Sequence, residues 1–155
     1  MARIFGLRAE ARQFNWAVVE GTQHKPVLIA RDTAAAPLDL DEASSLSWLR
    51  ERVRLVIEAN KPDGAVLRVP EFVARGGNTD GARRRLRIEG VLLEASDSCR
   101  TKVTIVTLRT ISAKLGTESA KAYIAQGEVR GIDLSKFPTP MREAVLAAVA
   151  GLPNT

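Results

Sequence analysis

Along the first third of the chain, apolar residues come in short runs or alternate with polar ones, a period-2 signature of strands. Ile4 to Leu7 form a brief apolar run; Phe14, Trp16 and Val18 then alternate with polar or small neighbours. These segments predict two strands joined by a tight bend. "KPVLIARD" reads as a third strand, entered at Pro26 and left at the acid, and "TAAAPLDLDE" as a Pro-broken linker. From Ser44 the period changes to 3.6: Leu46, Leu49, Val53, Val56 and Ile57 share one face, while Arg50, Glu51 and Arg54 fall elsewhere. "NKPDG" stops this helix, because Pro62 disfavours a helical Lys61 and Gly64 frees the turn. "AVLRV" is then a buried strand.

After the loop "ARGGNTDG", a second helix is predicted from Ala82 to about Ala95, with Leu86, Ile88, Val91, Leu92 and Leu93 as its apolar positions. "KVTIVTL" makes a fifth strand. Short helices follow around Thr110 to Leu115 and Ser119 to Gln126. A last helix opens at "TPMRE", where Thr139 suits a cap and Pro140 a first turn. Three consecutive strands form an antiparallel meander, and strands joined through helices add in parallel. The order therefore predicts one α/β domain over residues 1–155, a mixed five-stranded sheet with helices on both faces. There is no internal repeat.

Composition narrows the class. The apolar share is ordinary and the aromatic share low, as in globular domains. No apolar run approaches the roughly 20 residues that span a bilayer. The Arg-bearing start "MARIFGLRAEAR" contains Glu10 and runs into strand-like sequence, so it reads as part of the fold. The single cysteine, Cys99, permits no intrachain disulfide and fits a cytoplasmic setting. It reads as a half-buried strand-edge residue, with no histidine tied to it. His24 reads as exposed in a turn, and Trp16 and Trp48 as core. The net charge of +5, carried mainly by arginine, favours polyanionic partners.

The element order is that of the ribonuclease H-like fold, and the local sequence resembles one branch of it, the RuvC-type Holliday-junction resolvases. The first strand of that family reads roughly G-I-D-P-G-S-R-x-T-G-[WY]-G-V-I. Here "GLRAEARQFNWAVV" aligns without a gap, matching at Gly6, Leu7, Arg12, Trp16 and Val18. "EFVARGGNTDGARRRLRIEGVLL" resembles the family's loop and second helix, and "VTIVTLRTI" its V-x-x-x-T-P-R-x-V. "GTESAKAYI" resembles G-x-G-x-A-S-K-E-x-V, two residues shorter, with Lys121 in the lysine's place. "REAVLAAVAGL" resembles the closing A-D-A-L-A-I-A helix.

The resemblance implies DNA cleavage by four carboxylates converging on magnesium, with two ions clamping the attacking and leaving oxygens. The acids of this chain depart from that set. The first-strand aspartate falls on Arg8. The fourth-strand glutamate falls on Arg68 counting from "PD", or on Glu71 counting back from Gly90. The paired acids of the last helix fall on Pro140 and Glu143. A guanidinium about 4 Å from a divalent ion costs about 8 kcal/mol at an effective dielectric near 20. Glu10, two residues after Arg8, faces the same side of an extended strand. It reads either as a displaced ligand or, favoured by the charge argument, as the ion-pair partner of Arg8.

Three readings follow. The first is a pseudo-nuclease that binds structured or branched DNA and needs no metal. Its candidate contacts are Arg8, Arg12, Arg68, Arg75, Arg83, Arg84, Arg87 and Lys121. The resemblance implies a homodimer through "IEGVLLEA". The second is an active endonuclease using Mg2+ or Mn2+ on a rearranged set, Glu10, Glu71 and Glu143. The third is a protein-interaction scaffold on the same fold. Arg8 and Arg68 either hold a phosphate or pair with Glu10, Glu71 or Glu143 and fill the cavity. "RRRLR" either tracks a phosphate backbone or forms a solvated helix face.

Overall fold

The computed structural model describes residues 1–71, 79–117 and 119–155. The chain runs β1 (Arg3–Ala9), β2 (Gln13–Gly21), β3 (Pro26–Ala35), α1 (Glu42–Asn60), β4 (Gly64–Arg68), α2 (Asp80–Ser98) and β5 (Val103–Val106). Then come α3 (Leu108–Leu115), α4 (Ala120–Gln126), the short strands β6 (Glu128–Val129) and β7 (Ile132–Asp133), and α5 (Thr139–Gly151). The main sheet has the order β3-β2-β1-β4-β5. β1–β2 and β2–β3 are antiparallel, β1–β4 and β4–β5 parallel. The mixed five-stranded sheet is therefore as the sequence predicts.

Local chemistry sets the helix ends. The Asp41 carboxylate accepts the Ser44 N–H at 2.7 Å to open α1, and Lys61 closes it in the left-handed region at φ 48°. Thr79 accepts from Ala82 N at 3.1 Å to open α2, and Thr107 from Thr110 N at 3.3 Å to open α3. α5 departs from expectation. Pro138 occupies the cap position without a side-chain bond, and Thr139 is already helical.

Each face of the sheet carries its own core. α3 and α5 pack on one side around Ile111, Val145, Leu146 and Val149. α1 and α2 pack on the other around Phe5, Leu7, Leu49, Val53 and Leu92. Covered on both sides, β1 and β4 are buried along most of their length and so read as apolar runs. The helix α5 lies unusually close to β1. A Cβ on Gly6 would collide with the Ala144 carbonyl oxygen and stand 2.8 Å from Ala148 Cβ. Gly151, at the other end of α5, meets Val66 and Ile4 side chains at 2.7 and 2.9 Å in the same sense. Glycine and a row of alanines let this helix settle on the strand, with its first turn over the carboxyl end of β1.

Several expectations need correcting. β3 runs three residues past Asp32, because Thr33, Ala34 and Ala35 still pair with Asn15, Phe14 and Gln13. Trp16 and Trp48 pack against the core as expected but are half-buried at its rim, where they line a groove beside β3 and Arg52 lies 4.5 Å over the Trp48 ring. Leu86 is 55% exposed, so the apolar stripe of α2 runs through Ile88, Leu92 and Ala95 instead. Cys99 is half-buried as expected, but it caps the end of α2 and does not edge a strand. His24 is exposed. Among the described residues no helix is long and apolar enough to cross a membrane.

Candidate functional site

The parallel register of β1 and β4 sets Arg8 beside Arg68 at the carboxyl ends of the two central strands. Of the two residues that the countings of the fourth strand reach, Arg68 is its last residue and Glu71 lies beyond it. Above them, the close seat of α5 brings Glu143 down between the two guanidinia. One Glu143 oxygen accepts from Arg8 Nε, and the other accepts from Arg68 Nη2 at 3.3 Å. Arg8 also donates from Nη1 to the Ala9 carbonyl at 2.7 Å. Arg68 is 6% exposed, and its Nε and Nη1 have no hydrogen-bond partner. Burial pushes its guanidinium pKa down, against the pull of Glu143.

A second carboxylate closes the cluster from the opposite layer. Glu89, on α2, is 5% exposed, and its Oε2 lies 3.6 Å from Arg85 Nε with neither atom hydrogen-bonded. Burial pushes the Glu89 carboxyl up, against the combined pull of Arg85, Arg8 and Arg68. Sequence reasoning missed this residue, although the chain carries a signal for it. Glu89 sits on the buried stripe with Ile88, Leu92 and Ser96, four residues after Arg85, where a lone carboxylate needs a cationic partner.

Glu10 is not the partner of Arg8. β1 ends at Ala9 and the chain turns, with Glu10 N–H bonding the Gln13 carbonyl at 2.8 Å. The period-2 rule therefore stops one residue short of Glu10. Its carboxylate instead accepts from Gln13 Nε2 at 2.7 Å and from Asn15 Nδ2 at 2.8 Å. Asn15 is 1% exposed and also accepts from Thr33 Oγ1 at 2.7 Å, so it is fixed at both ends. Glu71 is exposed and accepts the Arg109 backbone N–H at 3.2 Å, at the start of α3.

Glu10, Glu71 and Glu143 thus serve three different sets of partners. Among the described residues no three of His, Cys, Asp and Glu stand together to share a metal ion. The donors at the strand ends do not fit Mg2+ or Mn2+. Such ions want several free hard oxygens, whereas here two guanidinia already share the one carboxylate.

The basic run on α2 is likewise not a bare cationic strip. Arg87 makes a two-point pair with Glu42 of α1, its Nη2 reaching Oε2 at 3.0 Å. Arg84 lies 3.6 Å from Asp80 and 3.9 Å from Glu42, and Arg83 lies 4.0 Å from Asp80. The Arg87 hydrogen bond holds the Glu42 carboxyl below its ordinary range. Arg12 is exposed at the β1–β2 turn and borders a cleft of about 180 Å³ floored by Leu46, Leu49 and Ile88. Lys121 is exposed on α4. Arg75 lies outside the described residues.

All these features except Lys121 share one end of the molecule. α2 and α3 follow parallel strands, so their N-termini lie at the carboxyl end of the sheet. α1 follows β3, whose last residue pairs with Gln13 at that same end, and the Arg8–Glu143 contact places the start of α5 there too. Four helix N-termini, each with a partial positive charge, therefore lie at the same end of the sheet as the arginine cluster. In open α/β sheets this is the end where ligands bind.

Comparison of the sequence with known protein families and with curated proteins returned no match. Comparison of the structure did. Thermus thermophilus RuvC superposes with a TM-score of 0.78 at 17% identity, over 96% of this chain and 92% of that one. The same protein in complex with a Holliday junction substrate gives 0.76 at 14% identity, over 97% and 92%. The yeast mitochondrial Holliday junction resolvase gives 0.58 at 12% identity, over 96% and 78%. The chain thus has the ribonuclease H-like fold in its RuvC form.

Proposed function

We propose that this RuvC-fold protein binds structured or branched DNA at the carboxyl end of its sheet without cutting it by the magnesium chemistry of the resolvases. The observation that carries the reading is the Arg8–Glu143–Arg68 bridge. It stands where the resemblance puts metal-binding acids, and it fills that place with fixed cations. The likeness to a resolvase solved with a Holliday junction, the helix N-termini at this end of the sheet and the exposed Arg12 support a polyanionic partner. The two remaining cations of the α2 run, Arg83 and Arg84, add to it less than their number suggests, because Asp80 and Glu42 lie beside them.

A homodimer completes the reading. The outward side of α2 carries the exposed Leu86 and a Gly90 that opens onto empty space, between half-buried Val91 and Leu93. That surface lets a second copy approach.

Gel retardation of four-way, duplex and single-stranded DNA across a salt series tests the proposal. Engagement of about five phosphates predicts a loss of roughly 10²–10³ in affinity between 50 and 200 mM salt. No cleavage is expected with Mg2+ or Mn2+. Metal-dependent junction cleavage abolished by Glu143→Gln would restore the nuclease reading. Retention no tighter than that of an unrelated basic protein would leave the scaffold reading.

A further inference from the structure

A buried guanidinium with two unused nitrogens is an unstable arrangement unless something occupies them. Arg68 gives one hydrogen bond, from Nη2 to Glu143, while its Nε and Nη1 are buried and bond nothing. Arg85 Nε is likewise buried and unbonded. A buried polar atom that forgoes its partner costs about 1–3 kcal/mol, more when charged. The cluster is also unbalanced in charge. Arg8, Arg68 and Arg85 share two buried carboxylates, Glu143 and Glu89, with the exposed Glu71 also pulling on Arg68, and the burial of Glu89 works toward its neutral form. Against the buried carboxylates alone one positive charge is in excess, at the end of the sheet where four helix N-termini also lie.

We propose that Arg68, together with Arg8, forms a pocket for one tetrahedral oxyanion, either a phosphodiester of bound nucleic acid or a free phosphate. The planar guanidinium presents its donors as a fork, whose spacing matches two oxygens of a phosphate. Glu143 takes one hydrogen of Arg68 Nη2 and the Nε hydrogen of Arg8, so the second Nη2 hydrogen of Arg68 remains, forked with either Nε or Nη1, for the ligand. The more open members of the cluster are Arg8 and Arg85, at 16% and 25% side-chain exposure against 7% for Arg68. An anion therefore enters past them. A single negative charge, as on a phosphodiester, cancels the excess. The inference rests on the nucleic-acid reading only for the phosphodiester source; the oxyanion pocket stands on the cluster itself.

The test is thermal unfolding of the full chain titrated with inorganic phosphate and with dimethyl phosphate, each against chloride at matched ionic strength. Wild type, Arg68→Met and the surface control Arg50→Met are compared. A saturating rise of about 5–10 °C is expected at a hundredfold excess over the dissociation constant. It should persist in Arg50→Met and vanish in Arg68→Met. Phosphorus NMR line broadening with wild-type protein reads the same site should Arg68→Met fail to fold. A response to both anions supports a pocket that accepts a phosphodiester, and a response to inorganic phosphate alone supports a free-phosphate pocket. No shift beyond chloride and no line broadening, or an equal shift in Arg68→Met, overturns the proposal and assigns the unbonded nitrogens to water. DNA retention with no anion response overturns the pocket while leaving the nucleic-acid reading. Anion binding without DNA retention does the reverse.

Discussion

The molecule holds two arginine–carboxylate networks that obey opposite rules. Across the exposed faces of α1 and α2, Arg50 reaches Glu94 at 2.7 Å and Ser98 at 3.0 Å, and Arg54 reaches Glu51 and Glu58 at 2.5 and 2.7 Å. Those arginines find carboxylates in ample supply, and water completes what remains. At the strand ends, two guanidinia compete for Glu143, and Glu89 and Arg85 miss one another at 3.6 Å. Water makes the first network forgiving. Burial makes the second a place where each charge depends on the others, since desolvation is repaid only when all partners are present.

The largest expected effect lies in the buried network. Glu143→Ala leaves two buried guanidinia facing each other and should cost about 3–5 kcal/mol in chemical denaturation. A loss as small as that of an exposed pair would mean that the cluster opens readily to solvent. Arg68→Met, at the other side of the same contact, should stay within about 1.5 kcal/mol of wild type in chloride buffer. It keeps the Arg8–Glu143 pair and removes two unbonded nitrogens. Equal costs for these two variants would break the asymmetry between carboxylate and guanidinium.

Glu89 sharpens the comparison through pH. Burial holds its carboxyl above the ordinary value of 4.5. A carboxyl raised in the folded state contributes most below its unfolded pKa, and that contribution is lost as pH rises through the folded value. Glu89→Gln suffers no such loss. Its melting temperature relative to wild type should climb upward from about pH 4.5. A difference that is flat with pH would show that Arg8, Arg68 and Arg85 fully compensate the burial. The smallest effect belongs to Arg87→Ala on the exposed side. It should change stability only slightly, and molar salt should erase the change. An effect that survives molar salt would show that the pair with Glu42 contributes packing as well as charge.

Much of the fold can be read from the chain because its signals are local. The strand and helix periods place every element of the main sheet. What escapes has neither length nor period: the two-residue strands β6 and β7, which form around the positive φ of Arg130 and Gly131. The site is legible in part. Arg8, Arg68 and Glu143 all stand out in the sequence, and counting from "PD" places Arg68 where the register of β4 has it. Of the carboxylates offered to Arg8, Glu143 is the partner found and the favoured Glu10 is not, because one backbone turn at Glu10 cancels the strand rule and no property of Glu10 alone announces that turn. Glu42 lies 45 residues from Arg87, a pairing only the packing of α1 on α2 creates. Glu89 is within reach, as a carboxylate on an apolar helical stripe.

The side-by-side arginines also bear on how such a site changes through time. Suppose Arg8 alone were replaced by aspartate. The new carboxylate would lie near Glu143 on a helix held against Gly6, with too little slack to separate the two acids. Suppose instead that Arg68 alone were replaced by glutamate. Arg8 would then be the nearest cation to two buried acids. Either single step alone leaves the buried charges of the cluster out of balance. A return to two acids at these positions would call for both changes together. The arginine bridge acts as a ratchet.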